Sequence, residues 1–188
     1  MRKIISFMHI SLDGFVAGPN GEMDWITVDE EIFDYVGKRI TEGDTALYGR
    51  VTYQMMENYW PTAADDPKAG QHQVTHASWV NKAEKIVFSK TMKKSGWYNT
   101  TFINENIENE MRKRKSAAGK NMILIGSASI AHLFVQLDLI DEYLINVNPV
   151  ILGDGIPLFK SIKDKKNLQL LSATTFNSGV VGLHYQSR

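Results

Sequence analysis

The chain is predicted to fold as an α/β protein, a three-layer α/β/α arrangement with a mostly parallel central sheet and an antiparallel C-terminal hairpin edge. Three observations carry this. Short apolar runs alternate with helical periodicities until about residue 137, after which strands dominate. That order suits a parallel sheet covered on both faces. Thr45-Ala46-Leu47-Tyr48-Gly49 and Met122-Ile123-Leu124-Ile125-Gly126 are each an apolar run that stops at a glycine, and each is followed by a helical segment. Residues 168–175 and 180–186 read as strands around Asn177-Ser178-Gly179, a hairpin turn.

Each element has its own signal. Residues 3–12 are apolar and rich in β-formers, a strand buried on both faces. Residues 13–25 hold Gly14, Gly18 and Pro19-Asn20-Gly21 without periodicity, a long loop of the kind that serves as a functional flap. Residues 29–40 place Ile32, Phe33, Val36 and Ile40 at helical spacing, with Thr27 as N-cap and Glu30 at the capping-box position. Residues 44–48 form a buried strand and 50–57 a short helix. Residues 59–75, with Pro61, Pro67 and Gly70, read as loop, and 75–81 as another short helix. Residues 85–88 and 101–103 are short strands. Residues 104–118 form a helix with Ile107 and Met111 inward; Arg112-Lys113-Arg114-Lys115 gives it a solvated, salt-bridged face. A strand at 121–125, a helix at 127–137 and a strand at 142–148 follow. No repeat or interdomain linker is visible, and 188 residues suffice for one domain with its own core.

Composition narrows the function classes. The 21 basic and 21 acidic side chains cancel, so charge gives no case for a nucleic-acid or membrane-surface partner. The chain has no Cys, which excludes disulfides, thiolate metal sites and a Cys nucleophile and fits a cytoplasmic location. Met1-Arg2-Lys3 resembles the start of a signal peptide, but Ser6, His9, Ser11 and Asp13 interrupt the apolar stretch it needs. The longest uncharged stretch, residues 143–153, is far short of the roughly 20 residues that span a bilayer. His72 and His76 are four apart but lack an acidic partner; they read as surface residues, and no metal is expected.

In open α/β sheets ligands sit beyond the carboxyl ends of the strands, where both glycine turns lie. A strand that turns at Gly straight into a helix presents free N–H groups and the positive end of the helix dipole, which suit phosphate. At Gly49, Arg50 adds a forked cation and Thr52 lies in the first helical turn. At Gly126, the small Ser127 and Ala128 permit close approach. Two such turns suit both ends of a dinucleotide. Each is equally consistent with an ordinary helix start, with Ser127 as a simple cap. Ser89-Lys90-Thr91 suits a ribose phosphate or a solvated turn. Asp24-Trp25 flanks a planar ligand or staples the loop to the core. Glu30 orients a heterocycle or only caps a helix, and His9 is a core histidine or a catalytic one.

Taken in order, Ile10-Ser11-Leu12-Asp13-Gly14-Phe15-Val16-Ala17, Gly21, Asp24-Trp25 and Gly49-Arg50-Val51-Thr52-Tyr53 resemble the dihydrofolate reductase-like fold. Leu124-Ile125-Gly126-Ser127, Leu139-Ile140-Asp141-Glu142-Tyr143 and the run from Pro149 to Phe159 resemble the riboflavin-pathway reductase domain that shares that fold. The resemblance covers nearly the whole chain and implies an NADPH-dependent reductase. By it, Ile10 and Ala17 flank the nicotinamide. Gly49, Arg50 and Thr52 take the cofactor phosphates, and Gly126, Ser127 and Ala128 the pyrophosphate from the other side. Ser89 and Lys90 meet the 2′-phosphate. Asp24, Glu30 or water would donate the proton, and His9, Trp25 and Tyr53 would contact a small-molecule substrate. The expected reaction is hydride transfer to a C=N or C=O bond of a small heterocycle or sugar-linked pyrimidine, like that of the phosphoribosylaminouracil reductase. Dihydrofolate reductase activity, or NADPH binding without turnover, are the alternatives. Two features depart from dihydrofolate reductases: Asp24 stands where they carry Pro, and Gly126 is followed by Ser instead of a second Gly. Residues 143–153 would make a homodimer surface, as in the riboflavin-pathway relatives, or an interior strand.

Overall fold

The computed structural model describes residues 1–188. In chain order the elements are β1 (Ile4–Ser11), β2 (Phe15–Ala17), α1 (Glu30–Ile40), β3 (Gly43–Gly49), α2 (Arg50–Tyr59), a 3-10 turn (Ala63–Asp65), α3 (Gln71–Lys82), β4 (Glu84–Phe88), β5 (Thr100–Ile103), α4 (Ile107–Ser116), β6 (Asn121–Ile125), α5 (Ala128–Gln136), β7 (Glu142–Asn148), β8 (Ile156–Pro157), β9 (Leu168–Thr175) and β10 (Val181–Ser187). Eight strands form one sheet in the order β5-β4-β3-β6-β1-β7-β10-β9. The pairings from β5 across to β7 are all parallel. β10 runs antiparallel to both β7 and β9, which makes the C-terminal hairpin the antiparallel edge.

The period-2 alternation of the strands separates two cores. Ile5, Phe7, Tyr48 and Val87 point to one face, where Ile32, Val36 and Ile40 of α1, Tyr53 of α2 and Ala77 and Val80 of α3 cover them. Ile4, Met8, Leu47 and Ile86 point to the other, under Met111 of α4 and Ile130 and Phe134 of α5. Both faces are therefore buried, which explains why these strands are apolar throughout instead of alternating with polar residues. At β10 the backbone packs closely on α1: a Cβ on Gly182 would stand 3.0 Å from the Tyr35 ring and push it aside.

Several boundaries depart from the sequence expectation. The N-cap of α1 is Asp29, whose carboxylate accepts the Ile32 N–H at 2.8 Å; Thr27 instead donates its N–H to Asn148 Oδ1 at 2.9 Å. α3 begins at Gln71, within the expected loop, because the Gln73 side chain reaches back to the Gly70 N–H at 2.9 Å. Within the flap, β2 pairs with β8 in a separate two-stranded sheet. Lys115 is not solvated. Its Nζ is buried on Leu139 O at 3.0 Å and Asp141 Oδ2 at 2.7 Å. No helix is long and apolar enough to cross a membrane.

β6 inserts between β3 and β1, so the chain reverses its direction of travel across the sheet there. Such a reversal separates neighbouring crossover connections and leaves a crevice at the carboxyl ends of the strands.

Candidate active site

The crevice is real: one cleft of about 980 Å³ opens over the carboxyl ends of β1, β3, β4 and β6. That is at the upper end of the range for small-molecule and cofactor sites. Gly49, Arg50, Thr52, Ser89, Lys90, Gly126, Ser127 and Ala128 all line it, as do Ala17 and His9.

The two glycine turns are neighbours, not opposite ends of the site. β3 and β6 are adjacent, and the Gly49 N–H donates to Ser127 Oγ at 2.8 Å. The glycines make this approach possible. A Cβ on Gly49 would meet Ile130 Cγ1 at 3.2 Å, and one on Gly126 would meet Thr52 Cγ2 at 3.2 Å. Gly126 and Ser127 both take left-handed backbone conformations, with φ of 58° and 63°. With its oxygen committed to the other turn, Ser127 does not cap its own helix. Neither α2 nor α5 has a side-chain N-cap bond; in α5 the Ile130 N–H bonds Ser127 O at 3.0 Å, and the Ala128 and Ser129 N–H groups before it stay open to a ligand, as does the start of α2. The result is one composite cradle with two helix N-termini side by side. Arg50, exposed and held by Gln54 Oε1 at 2.8 Å, stands at its edge.

Other expected residues lie elsewhere. Ser89 lines the cleft, but its Oγ already accepts the N–H groups of Thr91 and Met92 at 3.2 and 2.8 Å, which leaves Lys90 as the free cation of that turn. Ile10 does not line the cleft; its carbonyl accepts Asn148 Nδ2 at 3.2 Å. Asp24 and Glu30 are exposed and off the cleft. Trp25 is also off it, its indole N–H turned onto Glu22 O at 3.1 Å. Tyr53 is wholly buried beneath the site, with its hydroxyl on Ser95 Oγ at 2.6 Å, because the third residue after Arg50 faces the sheet. Asp34 is the carboxylate of α1 that lines the cleft.

His9 lines the cleft wall, and burial holds its imidazole pKa down at about 4, so the ring is neutral at physiological pH. Its Nδ1 has no hydrogen-bond partner. Asn146, its register partner on β7, is fully buried with both amide atoms unpartnered. Asn146 in turn pairs with Gly182, over which the Tyr35 ring lies, and the Tyr35 hydroxyl is unpartnered too. Leaving such atoms unsatisfied costs about 1–3 kcal/mol each; of the three residues, His9 is the one that reaches the cleft.

Sequence reasoning missed the half of the cleft between α1, α2 and α3. Phe33 and His72 stack there with ring centroids 4.5 Å apart. His76 is not a surface residue. It is wedged against Trp60 at 4.1 Å and Trp79 at 5.5 Å, and burial lowers its pKa to about 4.

Comparison with known proteins places this geometry. The family described as the RibD C-terminal domain matches residues 2–182. The chain belongs to that family. It is a reductase-like family of riboflavin biosynthesis. The uncharacterized Bacillus subtilis protein YyaP is 36% identical over 98% of this chain and 94% of its own length, and YwjB of the same organism is 30% identical over 98% and 97%. Among solved structures, a putative riboflavin biosynthesis protein from Shewanella sp. PV-4 superimposes with a TM-score of 0.69 at 22% identity, covering 99% of both chains. A Thermotoga maritima deaminase/reductase also gives 0.69, at 15% identity; all of this chain matches 57% of that one. The shared fold is the dihydrofolate reductase-like sheet expected from the sequence, and the RibD C-terminal domain assignment makes the chain reductase-like.

Proposed function

We propose that this protein is an NADPH-dependent reductase that transfers hydride to a C=N or C=O bond of a small cyclic substrate. The observation that carries this is the composite cradle, with two uncapped helix N-termini side by side at the topological reversal of a RibD C-terminal domain sheet. The residues fit a phosphorylated dinucleotide. Open N–H groups of α2 and α5 would bind its pyrophosphate, with Arg50 at the edge. Lys90, at the end of β4, would take the 2′-phosphate. When bound, the cofactor supplies the hydride.

The chain supplies position and exclusion of water. Ala17 and Val16 of the flap bring apolar surface over the cleft. The neutral His9 ring presents a hydrogen-bonding nitrogen at the wall where substrate would lie. With Asp24 and Glu30 off the cleft and the His9 ring neutral, proton supply falls to water that His9 orients.

Titration with NADPH and NADH tests the reading. Tight binding of NADPH, preferred about tenfold or more over NADH, is the expected result. Arg50→Ala should weaken both cofactors, and Lys90→Ala should weaken NADPH alone. Oxidation of NADPH with the riboflavin-pathway aminouracil, dihydrofolate and other cyclic carbonyl or imine acceptors then identifies turnover. A protein that binds no NADPH refutes the proposal.

A further inference from the structure

The two halves of the cleft differ in chemistry. The cradle half holds open N–H groups, Arg50 and Lys90. The half between α1, α2 and α3 is walled by Phe33, Val36, Met55, Trp60, His72 and His76. Its α1 wall carries one cation, Lys38, and that is offset by Asp34 one helical turn before it. His76, desolvated between Trp60 and Trp79, is neutral at physiological pH. On the β1 wall the cleft is lined by His9, which is neutral at physiological pH and whose Nδ1 has no hydrogen-bond partner. A phosphate dianion moved into such surroundings loses its hydration and meets on the α1 wall one lysine whose charge Asp34 offsets. A flat uncharged ring instead finds an aromatic wall, the stacked Phe33–His72 pair, and the neutral imidazole of His9.

We propose that the substrate of this reductase is an uncharged, unphosphorylated planar aromatic or heteroaromatic compound, bound in the lobe between α1, α2 and α3. This rests on the reductase reading above and separates the chain from enzymes whose substrate carries a phosphoribosyl group. Phe33 is the specificity residue of the lobe, since it lines the cleft and its ring is fixed by stacking on His72.

The test uses naphthol and naphthyl phosphate, which share a ring system and differ by one phosphate. Each is titrated by calorimetry into the full chain saturated with NADP⁺, so that the cradle cannot take the phosphate. Naphthol should bind at least about tenfold tighter than naphthyl phosphate. Phe33→Ala should weaken naphthol about fivefold or more, with melting temperature as the check on folding. Met55→Arg, at a position 45% exposed and so tolerant of change, adds a cation to the lobe and should narrow or reverse the preference. Equal or tighter binding of the phosphate ester by the unmodified protein overturns the inference, and so does binding of neither compound. The NADP⁺ titration is read separately. Failure there overturns the cofactor reading, whereas a naphthol preference that persists without it still supports the uncharged lobe.

Discussion

At the residue scale, His76 shows how a polar side chain reads differently in three dimensions. Alone on a helix it looks solvated; wedged against Trp60 and Trp79 it is desolvated and neutral. Its pKa falls from 6.5 in the unfolded chain to about 4 in the fold, and His9 shifts alike. Between those values the unfolded state binds more protons than the native state, so stability rises with pH through that window. Conversely, it falls as the solution is acidified from about pH 6.5 towards pH 4, by on the order of 2–3 kcal/mol per histidine. Above about pH 7.5 neither histidine contributes a slope. Melting temperatures measured across this range should show the decline, and His76→Phe should remove about half of it. An unchanged slope in that variant would mean that His76 is charged, or accessible, in the native state.

At the element scale, α3 exposes what a linear reading can and cannot find. Its first turn, Gln71 to Val74, carries no apolar periodicity, so the sequence places the start too late; Gly70–Gln73 contact and packing of Ala77 and Val80 supply the rest. The strands were legible because burial on both faces writes itself as unbroken apolar runs. The glycine turns were legible because a strand-Gly-helix junction is a local backbone feature. Their adjacency was not, since it depends on β6 inserting beside β3, a long-range choice. The Phe33–His72 wall was hidden for the same reason: it exists only because α1 packs on α3. The carboxyl end of α3 has a device of its own. Lys85, fully buried, donates from Nζ to Val80 O and Ala83 O at 2.9 Å and to Asn81 O at 3.3 Å, with its charge 4.8 Å from the Trp97 ring centre. A cation there satisfies carbonyls that the helix end leaves open and opposes the negative end of its dipole. Lys85→Met keeps the volume and strands those carbonyls. Urea unfolding should show a loss of about 2–4 kcal/mol; a loss below the roughly 0.5 kcal/mol typical of neutral surface changes would show that water replaces the ammonium.

At the scale of the whole molecule, the flap, the cradle and the C-terminal third are mechanically one unit. The Asp13 carboxylate accepts the N–H groups of Leu152 and Gly153 at 3.2 and 2.8 Å, and the Leu158 N–H reaches Gly14 O at 2.9 Å. β2 pairs with β8, and His132 of α5 holds Pro157 O at 3.0 Å. The helix whose N-terminus forms half of the cradle thus grips the segment that carries the flap. Gly155 is the tightest point of this clamp, since a Cβ there would run into the Ala17 carbonyl oxygen. Gly155→Ala must therefore part β2 from β8 while leaving the eight-stranded sheet and both cores intact. We expect thermolysin to cut within residues 18–26 at least about threefold faster in this variant, with little change in melting temperature, because the flap opens as a local unit. NADPH should bind more weakly as well, since Ala17 loses its fixed place over the cleft. Cleavage and affinity both equal to those of the unmodified protein would show that the flap is held by its own turn, in which the Gly18 N–H bonds Glu22 O at 2.9 Å, and owes nothing to the clamp.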